Sequence, residues 1–227
     1  MRLTNPTYLV PPQGFDPVAD FAPVTLIATY PLVMVVPVSS PAHSVQEFIA
    51  YAKTKKVSFA SSGYGSSLHL AAELFTRNAG IDMTHVPYRG AGPAFTDLIA
   101  GRVDAMINFT SSSLPLVRQG QLRALAVTTG KRLSVAPDLP TMAEAGVAGV
   151  EISSWSGFLV PAKTSREIVA RLHDDAVKAL ADATVRDKLE ATGASVIGST
   201  PLEFAAFLEA EHGKWGRVIK AAHIEAH

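Results

Sequence analysis

The chain has 227 residues, 48% of them hydrophobic and 18% charged, which fits one large domain or two small lobes with a sizeable core. Lysine plus arginine equals aspartate plus glutamate at 20 each, and the resulting zero net charge argues against nucleic acid as the main partner. Zero cysteines exclude disulfides, thiol catalysis and cysteine-bound zinc.

The chain opens "MRLTNPTYLVPPQGFDP", polar and Pro-rich, without the long apolar run of a secretory signal. If Met1 is the true start, the expected location is the cytoplasm. "VTLIATYPLVMVVPV" (Val24–Val38) is the most apolar segment, but Pro31 and Pro37 break it and it is too short to span a bilayer. Two strands meeting at a bend are expected there. A helix follows from Ser44, which with Glu47 forms a capping box.

A β/α alternation then runs through the middle. "VSFAS" reads as a strand. "SLHLAAELFTRNAG" reads as a helix with Leu68, Ala71, Ala72 and Phe75 on one face and Gly80 as its stop. "MTHVPY" is the next strand, and "PAFTDLIAG" a short helix with Pro93 in its first turn and Gly101 past its end. "VDAMINF", "SLPLVRQG" and "LRALAVTT" continue as strand, helical turn and strand. This order implies a largely parallel sheet. The last third begins with the strand-like "SWSGFLVPA", followed by helices. Thr164 with Glu167 and Thr200 with Glu203 are expected capping boxes, the latter with Pro201 at the first helical position.

The extended segments "PLVMVVP" and "SSWSGFLVP" bracket the β/α middle. If both cross between lobes, they make a two-strand hinge. Lobe 1 then comprises residues 1–36 and 157–227, and lobe 2 residues 37–156. Ligands of open α/β sheets sit beyond the carboxyl ends of strands, which places the strand-to-helix turns in the cleft.

Three such turns carry polar groups. In "SSGYGSSLH", Ser66 or Ser67 caps the helix, and Gly63 and Gly65 permit positive φ. Ser61 and Ser62 precede them. The helix N-terminus with these hydroxyls suits an anion, and the lack of a strong positive charge favours a carboxylate over a polyphosphate. Dinucleotide, Walker and nucleophile-elbow patterns all lack a required residue. A Ser-rich capped turn without a ligand fits the pattern equally well. His69, in the first helical turn, could reach the cleft, but capping or surface exposure explains it at least as well.

In "HVPYRGAGPAF", Tyr88 brings a hydroxyl, Gly90 frees the backbone, and Arg89 could pair bidentately with a carboxylate, although a solvated arginine fits better. In "MINFTSSSLP", Asn108 can donate and accept; the plainer reading is a polar loop with a helix cap at Ser113. The seven histidines are scattered, and His223 and His227 in "HIEAH" lack a zincin arrangement. No Ser/His/Asp set follows from spacing, so an enzyme using Ser62 or Ser66 lacks a visible base. Trp155 and Trp215 read as packing anchors.

Seven motifs resemble one family in its order: "FDPVADFAPVTLIA", "ASSGYGSSLHLAAELF", "GIDMTHVPYRGAGPAFTDLIAGRVDAMI", "LRALAVTTGKR", "LPTMAEAGV", "SWSGFLVPA" and "STPLEFAAFLEAEHGKWGRVIKAA". The family is the Bug, or TctC-like, solute-binding proteins of tripartite tricarboxylate transporters. The resemblance implies an α/β fold of the type II periplasmic-binding-protein kind, two lobes closing over a ligand, a periplasmic location and no catalysis. It implies small organic acids as ligands, membrane transporter subunits as partners, and no cofactor. Carried over, Ser61–Ser67 and Tyr88–Gly90 supply ligand contacts.

Three departures stand out. The family's signal peptide and first strand–loop–helix unit have no counterpart, so the first lobe is expected to be incomplete at its N-terminus. The family commonly has Asp where this chain has Asn108, implying a changed ligand charge or hydrogen-bond pattern. Without a signal the chain as given would stay in the cytoplasm. An incomplete lobe exposes a sheet edge and an apolar face, so a homodimer through that surface, a cytosolic sensing or interaction module, or a non-functional fragment are the alternatives.

Overall fold

The computed structural model describes residue 16 and residues 18–221. The reading of the first residues and the His223/His227 pair lie outside the described residues. The chain divides into two compact units, one taking in the described residues up to Tyr30 and from Ser154 onward, the other Pro31–Ser153. The backbone passes between them twice, at Tyr30–Pro31 and at Ser153–Ser154.

The second unit is built on five strands: the latter part of β1 (Phe21–Pro37), β2 (Val57–Ser61), β3 (Met83–Pro87), β4 (Ala105–Phe109) and β5 (Leu122–Val127). β1 is one continuous strand, not two meeting at a bend. The physical reason lies in where Pro31 falls. Pairing with β4 begins one residue later, at Leu32 opposite Phe109, so the missing N–H takes no bond from that ladder. Every residue from Pro31 to Pro37 is buried, as a strand paired on both edges requires.

The strand order is β3-β2-β4-β1-β5. β2 runs parallel to β3 and β4, as the alternation predicts, but β1 is antiparallel to both β4 and β5. The largely parallel expectation therefore needs correction at the centre. β1 enters from the other unit, without a helical crossover, and so escapes the rule that makes βαβ neighbours parallel.

Helices α1 (Val45–Thr54), α2 (Ser67–Asn78), α3 (Ala91–Ile99) and α4 (Thr110–Arg118) belong to this unit. The predicted apolar face of α2 is buried at Leu68, Ala71, Ala72 and Phe75, and Gly80 turns the chain at φ 62° just beyond its end. Phe75 meets Phe48 of α1 at a ring-centroid distance of 6.3 Å. Ser44 caps α1 by accepting from the Glu47 N–H, while the Glu47 carboxylate reaches back to the N–H of His43.

The first unit holds the earlier part of β1 with β6 (Ser153–Pro161) and β7 (Ser195–Val196), and helices α5 (Arg166–Ala181), α6 (Ala183–Ala191) and α7 (Pro201–Ala221). Its core joins Leu26, Trp155, Phe204 and Leu208. Trp155 stands edge-on to Phe204 and Phe207 at 5.8 and 5.5 Å. Both indoles donate to one carboxylate oxygen, Glu211 Oε2, at 3.2 Å from Trp155 and 2.9 Å from Trp215. Both tryptophans are thus packing anchors whose polar handles are satisfied.

The Thr200–Glu203 box forms in both directions, with Pro201 opening α7. The Thr164–Glu167 box does not. The cap of α5 is Ser165, whose hydroxyl accepts from Ile168 N–H. Adjacent Thr and Ser compete for one capping site, and the helix starts one residue later than the Thr reading requires. Among the described residues, no helix is long and apolar enough to cross a membrane.

Candidate functional site

Three strand-to-helix turns leave the carboxyl ends of β2, β3 and β4. These strands are parallel neighbours with β2 in the middle, so the turns emerge along one edge of the sheet. The first two touch. Tyr88 N–H donates to the carbonyl of Ser61 at 3.0 Å, and a Cβ on Gly63 would lie 3.6 Å from the Tyr88 carbonyl. Gly63 adopts φ 132° and Gly65 φ 69°, conformations that favour glycine.

Within the first turn, Ser66 is the cap of α2 and accepts from His69 N–H. Ser67 is the first helical residue, and Ser62 and Ser67 are half-exposed. Ser61 is fully buried and its hydroxyl is the knot of the loop. It accepts from Gly63 N–H at 3.2 Å, lies 3.0 Å from the Gly63 carbonyl and 2.7 Å from His85 Nε2. His69 is 2% exposed; its Nδ1 accepts from Gly65 N–H at 3.1 Å and its Nε2 faces Glu73 Oε1 at 3.4 Å. With both ring nitrogens engaged, His69 supports the loop from beneath.

His85 escaped sequence reasoning. The signal was the pairing of β2 with β3, which sets His85 opposite Phe59, two residues before Ser61. Its ring stacks on Phe59 at 4.9 Å and on His69 at 3.8 Å. Burial, and secondarily the nearby His69, lower its pKa to about 3. It is therefore neutral at physiological pH.

In the second turn, the Tyr88 hydroxyl donates to Asp97 Oδ2 at 2.7 Å, and Arg102 holds the other oxygen of that carboxylate. Partial burial and the Asp97 bond raise the Tyr88 pKa. The phenol is thus committed inside the turn, and what the turn leaves open is the uncapped N-terminus of α3 behind Gly90. Arg89 is exposed.

The third turn differs from expectation. The helix after β4 starts at Thr110 with Phe109 as its N-cap, not at Ser113, which is buried within α4. Thr110 is the first helical residue, and its hydroxyl donates to the Pro31 carbonyl at 3.4 Å. Asn108 is fully buried, and its Nδ2 donates to Ser112 Oγ at 3.3 Å. Ser112 spends its one proton on the Phe109 carbonyl, which fixes the amide orientation. Asn108 Oδ1 and Ser113 Oγ are left without a partner, two orphaned polar atoms at one helix start. Two of the three helices at this edge, α3 and α4, begin without a side-chain cap. Their first N–H groups, with the helix dipole behind them, suit a carboxylate.

The family model for the tripartite tricarboxylate transporter family receptor matches residues 2–224. The chain belongs to this family. It is 38% identical to the UPF0065 protein in the tcbD–tcbE intergenic region of Pseudomonas sp. strain P51, covering 99% of this chain and 69% of that protein. It resembles the solved structure of R. palustris Rpa4515 with adipate at 37% identity and a TM-score of 0.88, covering 99% of this chain and 76% of that one. MatC from Rhodopseudomonas palustris with bound malate is similar at 31% identity and a TM-score of 0.84, over 96% of this chain and 76% of that one. The chain thus spans about two thirds to three quarters of the length of these relatives. Its fold is the α/β fold of periplasmic binding proteins, and its family is one of receptors for solutes, small carboxylates among them.

Proposed function

We propose that the chain is a solute-binding receptor for small di- or tricarboxylates, without catalytic activity, that serves a tripartite tricarboxylate-type transporter in the periplasm. One observation carries the reading: three strand-to-helix turns share one sheet edge, and two of their helices start without a side-chain cap. A carboxylate satisfies such N–H groups without a strong local positive charge. The names of two similar structures, one with adipate and one with malate, support the ligand class. The residues proposed to meet the ligand are Ser62, Gly63, Gly65 and Ser67 of the first turn and Arg89 and Gly90 of the second. Ser61, Ser66, His69, Tyr88 and the buried Asn108 shape the three turns.

A thermal-shift screen against adipate, malate, citrate and related acids tests this. A ligand at about 100 times its Kd adds about 2.7 kcal/mol, several degrees for a chain of this size. A clear rise with one class of acid is expected. A folded sample that shifts with none of them contradicts the reading.

A further inference from the structure

The Ser61–Ser67 loop is held from below by two stacked imidazoles. Each contributes one nitrogen to a hydrogen bond with the loop. Gly65 N–H points at His69 Nδ1 at 3.1 Å, so neutral His69 carries its proton on Nε2, toward Glu73. Ser61 Oγ lies 2.7 Å from His85 Nε2, closer than it lies to the Gly63 carbonyl at 3.0 Å. A carbonyl only accepts, so the single Ser61 proton goes to Gly63, and neutral His85 carries its proton on Nε2 and donates to Ser61 Oγ. The rings are nearly coplanar in tilt, 11° apart with centroids at 3.8 Å. Phe59 closes the stack on the His85 side at 4.9 Å, and Tyr64 of the loop itself leans on His69 at 4.9 Å.

We infer that His69 and His85 are a stacked pair of positioning residues, which fix Gly65 and Ser61 and so hold the loop in the form that receives a ligand. The inference rests on the proposed ligand site for its functional part. Its structural part stands independently: both rings are protonated on Nε2, His69 accepting from the loop at Nδ1 and His85 donating to it at Nε2. The low pKa of His85 agrees with this, because a buried imidazole pressed against a second one resists a charge. A histidine that merely fills space would need the ring and not its polar nitrogens.

The two roles separate by substitution. Phenylalanine keeps the ring and the stack but removes the hydrogen-bonding nitrogen. Asparagine places an accepting oxygen near the Nδ1 position, and glutamine places a donating amide near Nε2. The expected result is that His69→Phe remains folded yet exposes the Gly65 amide to exchange and weakens carboxylate binding about tenfold, the worth of one hydrogen bond. His69→Asn should restore most of both. His85→Phe should weaken binding likewise, and His85→Gln should recover it. Unchanged Gly65 exchange in a folded His69→Phe, or no recovery in the Asn and Gln variants, overturns the inference. Should the Phe variants fail to fold, nitrogen NMR of the unaltered chain decides: His69 must show a bare Nδ1 and His85 a protonated Nε2. The opposite tautomers sink the idea. If no acid binds the unaltered chain, the proposed function fails, while Gly65 exchange and the ring spectra still judge the pair.

Discussion

His85 keeps its neutral form far below the usual histidine range because charging it would place a cation in a half-buried stack of rings. This has a consequence for stability with a definite sign. The unfolded chain takes up a proton near pH 6.5, while the folded chain resists it until about pH 3. The unfolded state therefore binds more protons in between, and stability falls as pH drops from about 6.5 toward 3, with the full contribution present above that window. Asp97, Glu144 and Glu203, all held below the usual carboxylate range by hydrogen bonds, add acid sensitivity of the same direction at lower pH. Urea unfolding across this range isolates the histidine when His85→Phe is run beside the unaltered chain. The stability gap between the two should narrow on acidification. Parallel curves would show that His85 titrates normally. None of this was visible in the sequence, where His85 is one of seven scattered histidines. Only the β2–β3 register brings it under Ser61.

At the scale of elements, local chemistry was legible where a signal had no competitor. The Ser44 and Thr200 caps, the buried face of α2 and the glycine stop at Gly80 all follow from spacing. Adjacent rivals defeated the same logic at Thr164 and Ser165, and α4 starts four residues earlier than a cap at Ser113 requires. Substitution separates these cases. Thr200→Ala and Ser165→Ala should each cost about 1 kcal/mol in denaturant unfolding. Thr164→Ala should stay within about 0.5 kcal/mol, because its hydroxyl caps nothing. Equal losses at Thr164 and Ser165 would contradict the assignment. In β6, Gly157 faces the ring of Phe204 so closely that an added Cβ would collide with its Cζ and lie 2.6 Å from Cε1. Phe204 is fully buried and cannot swing away, so Gly157→Ala should destabilise by about 2 kcal/mol through overpacking. A melting temperature equal to that of the unaltered chain would show that the ring has room.

For the whole molecule, the family and the mixed α/β fold were readable because several long motifs occur in order. The antiparallel entry of β1 was not, since no local pattern records from which unit a strand arrives. The candidate site was half legible. Its glycines and the Ser66 cap stand out in the sequence, whereas burial decides which serines face inward. Ser61 proves to be a buried knot and Tyr88 an internal donor. Asn108 Oδ1 is buried without a hydrogen-bond partner.

The central claim is that one sheet edge, at the ends of β2, β3 and β4, receives a small carboxylate. The direct measurement is a titration of the acid that gives the largest thermal shift into nitrogen-15-labelled chain, followed amide by amide. Saturable shifts concentrated at residues 61–67, 88–92 and 108–112 are predicted. Saturable shifts centred on any other surface, with those three turns unmoved, would contradict it.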